Sequence, residues 1–231
     1  MATPFFPGSV VGTIPSPRAL AAALKLRRNA VDFLELRVDA FAGNTDLEAM
    51  GKSLRCLRAP LIITVRHPLE GGAGRLTLAQ RKALFLRFLP YASFVDVELR
   101  SVLPLREVIE QARTQSVGVI LSHHDFRRTP SLARLQALRR KAAGAGCDVF
   151  KVAAEARTAK DLGVLLDWLT GSPASVPALA VMGMGEFGKI SRLVLAQAGS
   201  VLNYGYLEKP QVSGQWPAVL LKERLREIAG S

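Results

Sequence analysis

The sequence predicts an α/β chain closed into a (β/α)8 TIM barrel, and three observations carry that expectation. From Val10 onward, short apolar runs alternate with longer helical patterns about eight times along the 231 residues, which is the rhythm of strands and amphipathic helices. Patterns of about 10 to 15 residues separate successive runs, a spacing that implies parallel βαβ units. Eight such units in roughly 220 residues match the size of a closed barrel forming one domain, so residues 1–231 are read as a single domain,. An open doubly wound sheet is the competing fold. Against it, no strand is followed by Gly-x-Gly-x-x-Gly, and Gly183, Gly185 and Gly188 have the wrong spacing,.

In chain order, the first strand is Val10 to Ile14, and an Ala/Leu-rich helix runs from about Pro17 to Arg28. Phe33 to Val38 is the second strand, with a helix from about Asp46 to Leu57. The third, Leu61 to Arg66, follows Pro60 and leads through a Gly-rich loop into a helix from Thr77 to Phe88. The fourth is Phe94 to Leu99 with a helix near Pro104 to Thr114, and the fifth is Val117 to Ser122 with a helix from about Pro130 to Ala143. Asp148 to Ala154 is the sixth, entered through the turn Gly144-Ala-Gly146 and followed by a helix from Thr158 to Leu169,. The seventh is Ala178 to Met182 with a helix from Gly188 to Ala198. The eighth is Ser200 to Tyr204, and a last helix runs from about Pro217 to Ile228.

In a barrel, chemistry belongs at the C-terminal ends of the strands, so polar residues should collect there. In Leu34-Glu35-Leu36-Arg37-Val38-Asp39 a period of two puts the three charges on one face and the apolar residues on the other,. A parallel strand flanked by helices turns its leucine and valine face to them, so Glu35, Arg37 and Asp39 point into the barrel. The same alternation aims Thr64 and Arg66 inward from the third strand, and Asp96 and Glu98 from the fourth. Inward charges need partners, so an ion-pair network among Glu35, Arg37, Arg66 and Glu98 is expected. For Asp96 and Glu98, a structural network closing the barrel is at least as good a reading as a catalytic one.

A lone lysine, Lys151, sits in the middle of the sixth strand. A buried lysine is either paired or used. Used, it is a neutral amine nucleophile forming a Schiff base with a carbonyl compound. An ordinary lysine with pKa about 10.4 is roughly 0.04% neutral at pH 7, and an apolar strand at a site mouth is a place to raise that fraction. The bland alternative is a strand-end lysine reaching into solvent. Strand five ends in Ser122-His123-His124-Asp125-Phe126. Adjacent strand residues point opposite ways, so His123 and His124 do not share a metal, and no metal site is expected. One of the two beside the lysine would serve as a general acid/base; alone, it would be a packing histidine.

Composition sets outer bounds. No apolar run approaches the roughly 18 residues of a membrane span, and Met1 to Val10 has no basic segment followed by an apolar one,. A cytoplasmic protein is expected. Cys56 and Cys147 form no pairing or zinc motif,. The formal charge is +12, and 22 of the 31 basic residues are arginine, without a block of five or six. Nucleic-acid binding, steering of an anionic substrate, and a composition bias without a role all fit such a charge. The absence of a basic tail or a nucleic-acid motif argues against the first.

The residues taken together resemble a known family. Glu35-Leu-Arg-Val-Asp39, Thr64-Val-Arg66 followed by Glu70-Gly-Gly72, Ser122-His-His-Asp-Phe126 with Thr129-Pro130, Phe150-Lys151-Val-Ala153, Met184-Gly-x-x-Gly188 with Ser191-Arg192, and Gly214-Gln215 are similar to type I 3-dehydroquinate dehydratase, the Schiff-base dehydratase of the shikimate pathway. The pieces run in order from about Val11 to Gln215, and their combination is specific.

The resemblance implies that Lys151 forms the imine, that His124 is the general acid/base, and that Glu70 assists it. It implies that Arg192 holds the substrate carboxylate and that Glu35, Arg37 and Arg66 line the substrate's hydroxyl side. It places Gln215 on a lid loop around 209–216. The family's lid carries a serine four residues before the glutamine; here that position is Gln211, so this loop would meet the substrate differently. Thr13 is a looser match to a binding position. No cofactor and no metal are implied, the partner is a small carboxylate, and a homodimer is expected. Two rivals stand beside this reading: a class I aldolase on the same barrel, which would share Lys151 but gives no reason for His124, Arg192 and Gln215, and a non-catalytic basic protein that binds nucleic acid.

Overall fold

The computed structural model describes residues 5–41, 46–172 and 177–230. Its order is β1 (Val10–Ile14), α1 (Pro17–Lys25), β2 (Phe33–Arg37), α2 (Leu47–Leu54), β3 (Leu61–Thr64), α3 (Leu78–Phe88), β4 (Phe94–Glu98), α4 (Arg106–Thr114), β5 (Gly118–Asp125), α5 (Leu132–Gly144), β6 (Val149–Glu155), α6 (Ala159–Thr170), β7 (Ala178–Met184), α7 (Gly188–Gln197), β8 (Asn203–Tyr206) and α8 (Ala218–Ala229). Every strand from β1 to β7 pairs in parallel with its sequence neighbour, and β8 pairs with β1. The seam between β7 and β8 is joined by Val201 N–H donating to the Leu179 carbonyl at 2.9 Å, and by Val181 N–H donating to the Ser200 hydroxyl at 2.9 Å. The expected (β/α)8 barrel is the observed fold.

Several strand ends differ from the sequence expectation, for reasons visible in the hydrogen bonds. β5 runs past Ser122 because its ladder with β6 continues through His124↔Ala153 and Asp125↔Ala154. β2 and β3 stop early because Val38–Ala40 turns into a 3-10 helix, and the Arg66 N–H donates to the Asp39 carboxylate instead of to a strand. β8 begins at Asn203 because Ser200 and Val201 are spent on the seam.

The period of two separates two cores. Leu34, Leu36 and Val38 face the helices in the larger one. Val11, Phe33, Ile62, Phe94, Ile120 and Val149 fill the barrel's N-terminal half, and Phe5 packs on Phe94 with ring centroids 4.3 Å apart. Each buried phenylalanine contributes about 1.5–3 kcal/mol. This dry floor excludes water from below the charged layer above it. Ser16, Asp46, Thr77, Ser131 and Thr158 cap their helices with side-chain acceptors, each worth about 1 kcal/mol. Among the described residues, no helix is long and apolar enough to cross a membrane.

Candidate active site

A cavity of about 420 Å³ opens where the strands end, and all ten residues singled out from the sequence line it: Thr13, Glu35, Arg37, Arg66, Glu70, His124, Lys151, Arg192, Gln211 and Gln215. They come from β1, β2, β5 and β6, from the segment after β3, from α7 and from the segment before α8.

Lys151 lies level with Ser122 of β5 and Ala180 of β7, two residues above the floor residue Val149. Its side chain is 3% exposed. Nζ is 2.5 Å from Asp96 Oδ2 and 3.8 Å from Glu35 Oε1, and it sits over the Tyr204 ring, 4.2 Å from its centroid. The lysine is therefore paired, not isolated among apolar neighbours as the strand's composition suggested. Tyr204 and Asp96 were not picked out as site residues from the sequence. The only signals were an aromatic with a polar tip at the last strand's end and the two-residue alternation of Asp96 with Glu98.

Asp96 is also the main partner of Arg66, which donates Nη1 at 3.0 Å and Nη2 at 2.9 Å to its two oxygens. The Ser122 hydroxyl donates to the same carboxylate at 2.6 Å. Burial alone would raise this carboxyl, but Arg66 and Lys151 hold it well below the usual carboxylate range. Burial likewise opposes the charge on Arg66, and Asp96 and Glu98 outweigh it, holding the guanidinium well above its ordinary value.

The expected ion-pair network needs one correction. Arg66 meets Glu35 at 3.7 Å and Glu98 at 3.4 Å, but Arg37 is not a member. It donates to both oxygens of Asp39, at 3.0 and 2.8 Å, and to the Gly71 carbonyl at 2.9 Å. The early end of β2 swings Asp39 out of the strand register to where Arg37 reaches it in a two-toothed contact. The second cation of the network is Lys151, and Asp96 joins Glu35 and Glu98 as an anion.

His124 faces the cavity and its neighbour His123 faces away, as alternation requires. Glu70, in the turn Pro68–Glu70 after β3, accepts from the His124 backbone N–H at 3.0 Å, and its Oε2 lies 3.0 Å from Nδ1. Burial pushes Glu70 up to about 7. Burial, then Arg66 and Lys151, push the imidazole well below its ordinary value. With Nδ1 engaged by Glu70, a neutral ring keeps Nε2 for proton transfer. Phe126 stacks on His124 with ring planes 15° apart and lies over Gly71. At φ +82°, a Cβ on Gly71 would come 2.9 Å from that ring, so glycine is needed there for conformation and for space,.

Arg192, on α7 and 1% exposed, donates to the carbonyls of Gly183, Gly188, Tyr204 and Gly214. Among the described residues no carboxylate pairs with it, and burial lowers it to about 10. A buried cation surrounded by neutral carbonyls at a cavity wall favours an incoming anion.

Gln215 Oε1 accepts from the backbone N–H groups of Gln211 at 2.6 Å and Val212 at 3.4 Å. Its oxygen staples the loop, which leaves the NH2 group as the donor for the cavity. Gln211 is exposed and turns its Nε2 back to the Lys209 carbonyl at 3.2 Å. It borders the cavity while its amide serves the loop. Thr13 is 3% exposed, and its Oγ1 finds no hydrogen-bond partner among the described residues. Among the described residues, no three His, Cys, Asp or Glu side chains are placed to hold a metal ion.

Fold and cavity together define a (β/α)8-barrel enzyme built around an interior lysine. The model of the type I 3-dehydroquinase family matches residues 10–231, and the chain belongs to that family. It is 33% identical over 223 residues to the 3-dehydroquinate dehydratase of Methanocella arvoryzae, covering 96% of this chain and 97% of that one. With the 3-dehydroquinate dehydratase of Thermococcus gammatolerans it shares 32% identity, over 96% of this chain and 99% of the other. The crystal structure of 3-dehydroquinate dehydratase from Geobacillus kaustophilus superposes with a TM-score of 0.84 at 25% identity, covering 96% of this chain and 91% of that chain.

Proposed function

We infer that this chain removes water from 3-dehydroquinate to give 3-dehydroshikimate, with Lys151 carrying the substrate as an imine. The observation that carries the residue assignment is the convergence, in one cavity, of Lys151, the His124–Glu70 pair and the guanidinium of Arg192, which meets no carboxylate among the described residues.

Arg192 holds the substrate carboxylate, as a planar guanidinium does well. The amine of Lys151 adds to the ketone carbon, and the carbonyl oxygen leaves as water, giving a protonated imine. Asp96, at 2.5 Å from Nζ, supplies the counter-charge. The imine nitrogen draws the electron pair of the neighbouring C–H bond toward itself. His124 Nε2 takes that proton while Glu70 steadies the ring from Nδ1,. The enamine then pushes out the β-hydroxyl, which leaves as water with the proton His124 has just accepted. Water hydrolyses the conjugated imine, releasing the enone and the free amine. Glu35, Arg37, Arg66, Thr13 and the Gln215 amide line the hydroxyl-bearing side, and the loop 209–216 acts as the lid.

The test is borohydride reduction in the presence of 3-dehydroquinate. The expected result is enone absorbance before reduction and a mass-mapped adduct on Lys151 after it. A label elsewhere, or no enone, rejects the assignment. The family likeness also supports a cytoplasmic homodimer, which light scattering of the purified protein checks for the assembly.

A further inference from the structure

A second cavity, of about 210 Å³, lies between the segments that follow β3 and β4, with His67, Arg81, Arg100 and Ser101 as its polar wall and Leu78 and Pro104 as apolar neighbours. The polar wall is made of donors. His67 Nδ1 accepts from Leu69 N–H at 3.1 Å, so its ring proton sits on Nε2. Arg81 commits Nε and Nη2 to the Val65 carbonyl and Nη2 to Glu98 as well, while its Nη1 reaches the Ser101 hydroxyl at 3.3 Å. Arg100 is exposed and takes part in no salt bridge among the described residues. Among the described residues no carboxylate lines the cavity. Burial, and then Arg81, push the His67 imidazole below its ordinary value, against the opposing pull of Glu98.

The same wall connects with the catalytic lysine. Glu98 accepts from Arg81 Nη2 at 2.6 Å, from His67 N–H at 2.7 Å and from Arg66 Nη1 at 3.4 Å. Arg66 grips Asp96, and Asp96 touches Lys151. The side chains of this chain of charges, from Arg81 to Lys151, are all 3% exposed or less, so salt screens it weakly.

We propose that this cavity is a second anion site, taking a small oxyanion of the phosphate class, and that its occupancy restrains the active-site lysine through Glu98. A volume of about 210 Å³ is that of about seven waters, room for a phosphate monoester. An anion here draws Arg81 and His67 toward itself. Glu98 then binds Arg66 more strongly, Arg66 relaxes its hold on Asp96, and Asp96 holds the Lys151 ammonium more tightly, which slows imine formation. The coupling rests on Lys151 being the imine-forming residue; the binding does not.

Calorimetry with inorganic phosphate at constant ionic strength tests it, on the wild-type chain, on the chain with a reduced substrate adduct at Lys151, and on Arg100→Gln. Phosphate should bind the first two alike and Arg100→Gln about tenfold or more weakly, the loss expected for a charge-assisted hydrogen bond. It should also lower kcat/KM of the wild type without competing with substrate, and leave Arg100→Gln, which keeps basal turnover, unaffected. No binding, binding lost on adduct formation, or equal binding to Arg100→Gln overturns the site. Binding as expected with turnover indifferent to phosphate overturns the coupling.

Discussion

Asp96 holds Lys151 at 2.5 Å while gripping Arg66 with both oxygens. One carboxylate thus serves two buried cations. Removing the shared anion should cost more than removing either cation, because an unpaired buried charge is worse than a lost pair. Asp96→Asn leaves both Arg66 and Lys151 short of charge, whereas Lys151→Ala leaves Asp96 still bound by Arg66 and Ser122. Denaturant unfolding should show Asp96→Asn destabilised by about 3–5 kcal/mol and Lys151→Ala by clearly less. Lys151→Ala should have no turnover, and Asp96→Asn should lose about 10²–10³ in kcat, the scale of a removed electrostatic group.

Glu70 makes a pH prediction with a fixed sign. Burial raises it from 4.5 to about 7, so the folded state favours its neutral form. The stability this contributes is present below pH 4.5 and is lost as pH rises through about 7,. Glu70→Gln removes the effect. Relative to wild type, the variant should gain about 2–3 kcal/mol between pH 5 and 8. Its activity should move the other way. The wild-type kcat/KM should rise with pH through about 7, as Glu70 gives up its proton and orients His124. In Glu70→Gln that limb disappears and turnover falls. A pH limb retained in the variant would assign it to another group.

Much of this site was legible in the sequence because alternation is strict: once Leu34 and Leu36 are assigned to the helices, Glu35 and Arg37 have only the interior left. Lys151 stood out as a lone lysine in an apolar run, whereas the choice of His124 over His123 and the part of Glu70 came from the family resemblance. The partners were less legible. In the hydrogen-bond ladder Lys151 stands level with Ser122, and Ser122 with Glu98, yet the amine meets Asp96, two residues earlier. Strands tilt across a barrel, so interior neighbours are set by shear and not by ladder rungs. No single strand records that offset. Arg37 was misassigned for a related reason: alternation carries no sign that β2 ends at Arg37 and turns Asp39 aside.

Arg192 should separate binding from chemistry. Its guanidinium gathers carbonyls from β7, α7, β8 and the loop residue Gly214, and among the described residues no carboxylate pairs with it. Arg192→Ala should raise KM about 10²-fold, the value of a two-toothed charged contact, with a smaller change in kcat. An unchanged KM in steady-state kinetics would remove Arg192 from the carboxylate role.

The loop 209–216 offers the sharpest pair of variants, because Gln211 and Gln215 use their amides in opposite directions. Gln211 returns its Nε2 to the Lys209 carbonyl, so Gln211→Ala should leave kcat/KM within about threefold, as exposed substitutions do. Gln215 has two sides: its oxygen holds the amides of Gln211 and Val212, and its NH2 group is left for the cavity that the residue lines. Gln215→Glu keeps the oxygen and replaces the donor with negative charge. Hydrogen exchange at the amides of 211 and 212 should then stay as slow as in wild type. Affinity for the anionic substrate should nonetheless fall by well over tenfold, because like charges meet in a buried site. Gln215→Ala should lose both, with faster exchange and weaker binding together. If Gln215→Glu bound substrate normally, the amide would be a loop staple alone, and recognition on that side would pass to Thr13, Glu35 and Arg37.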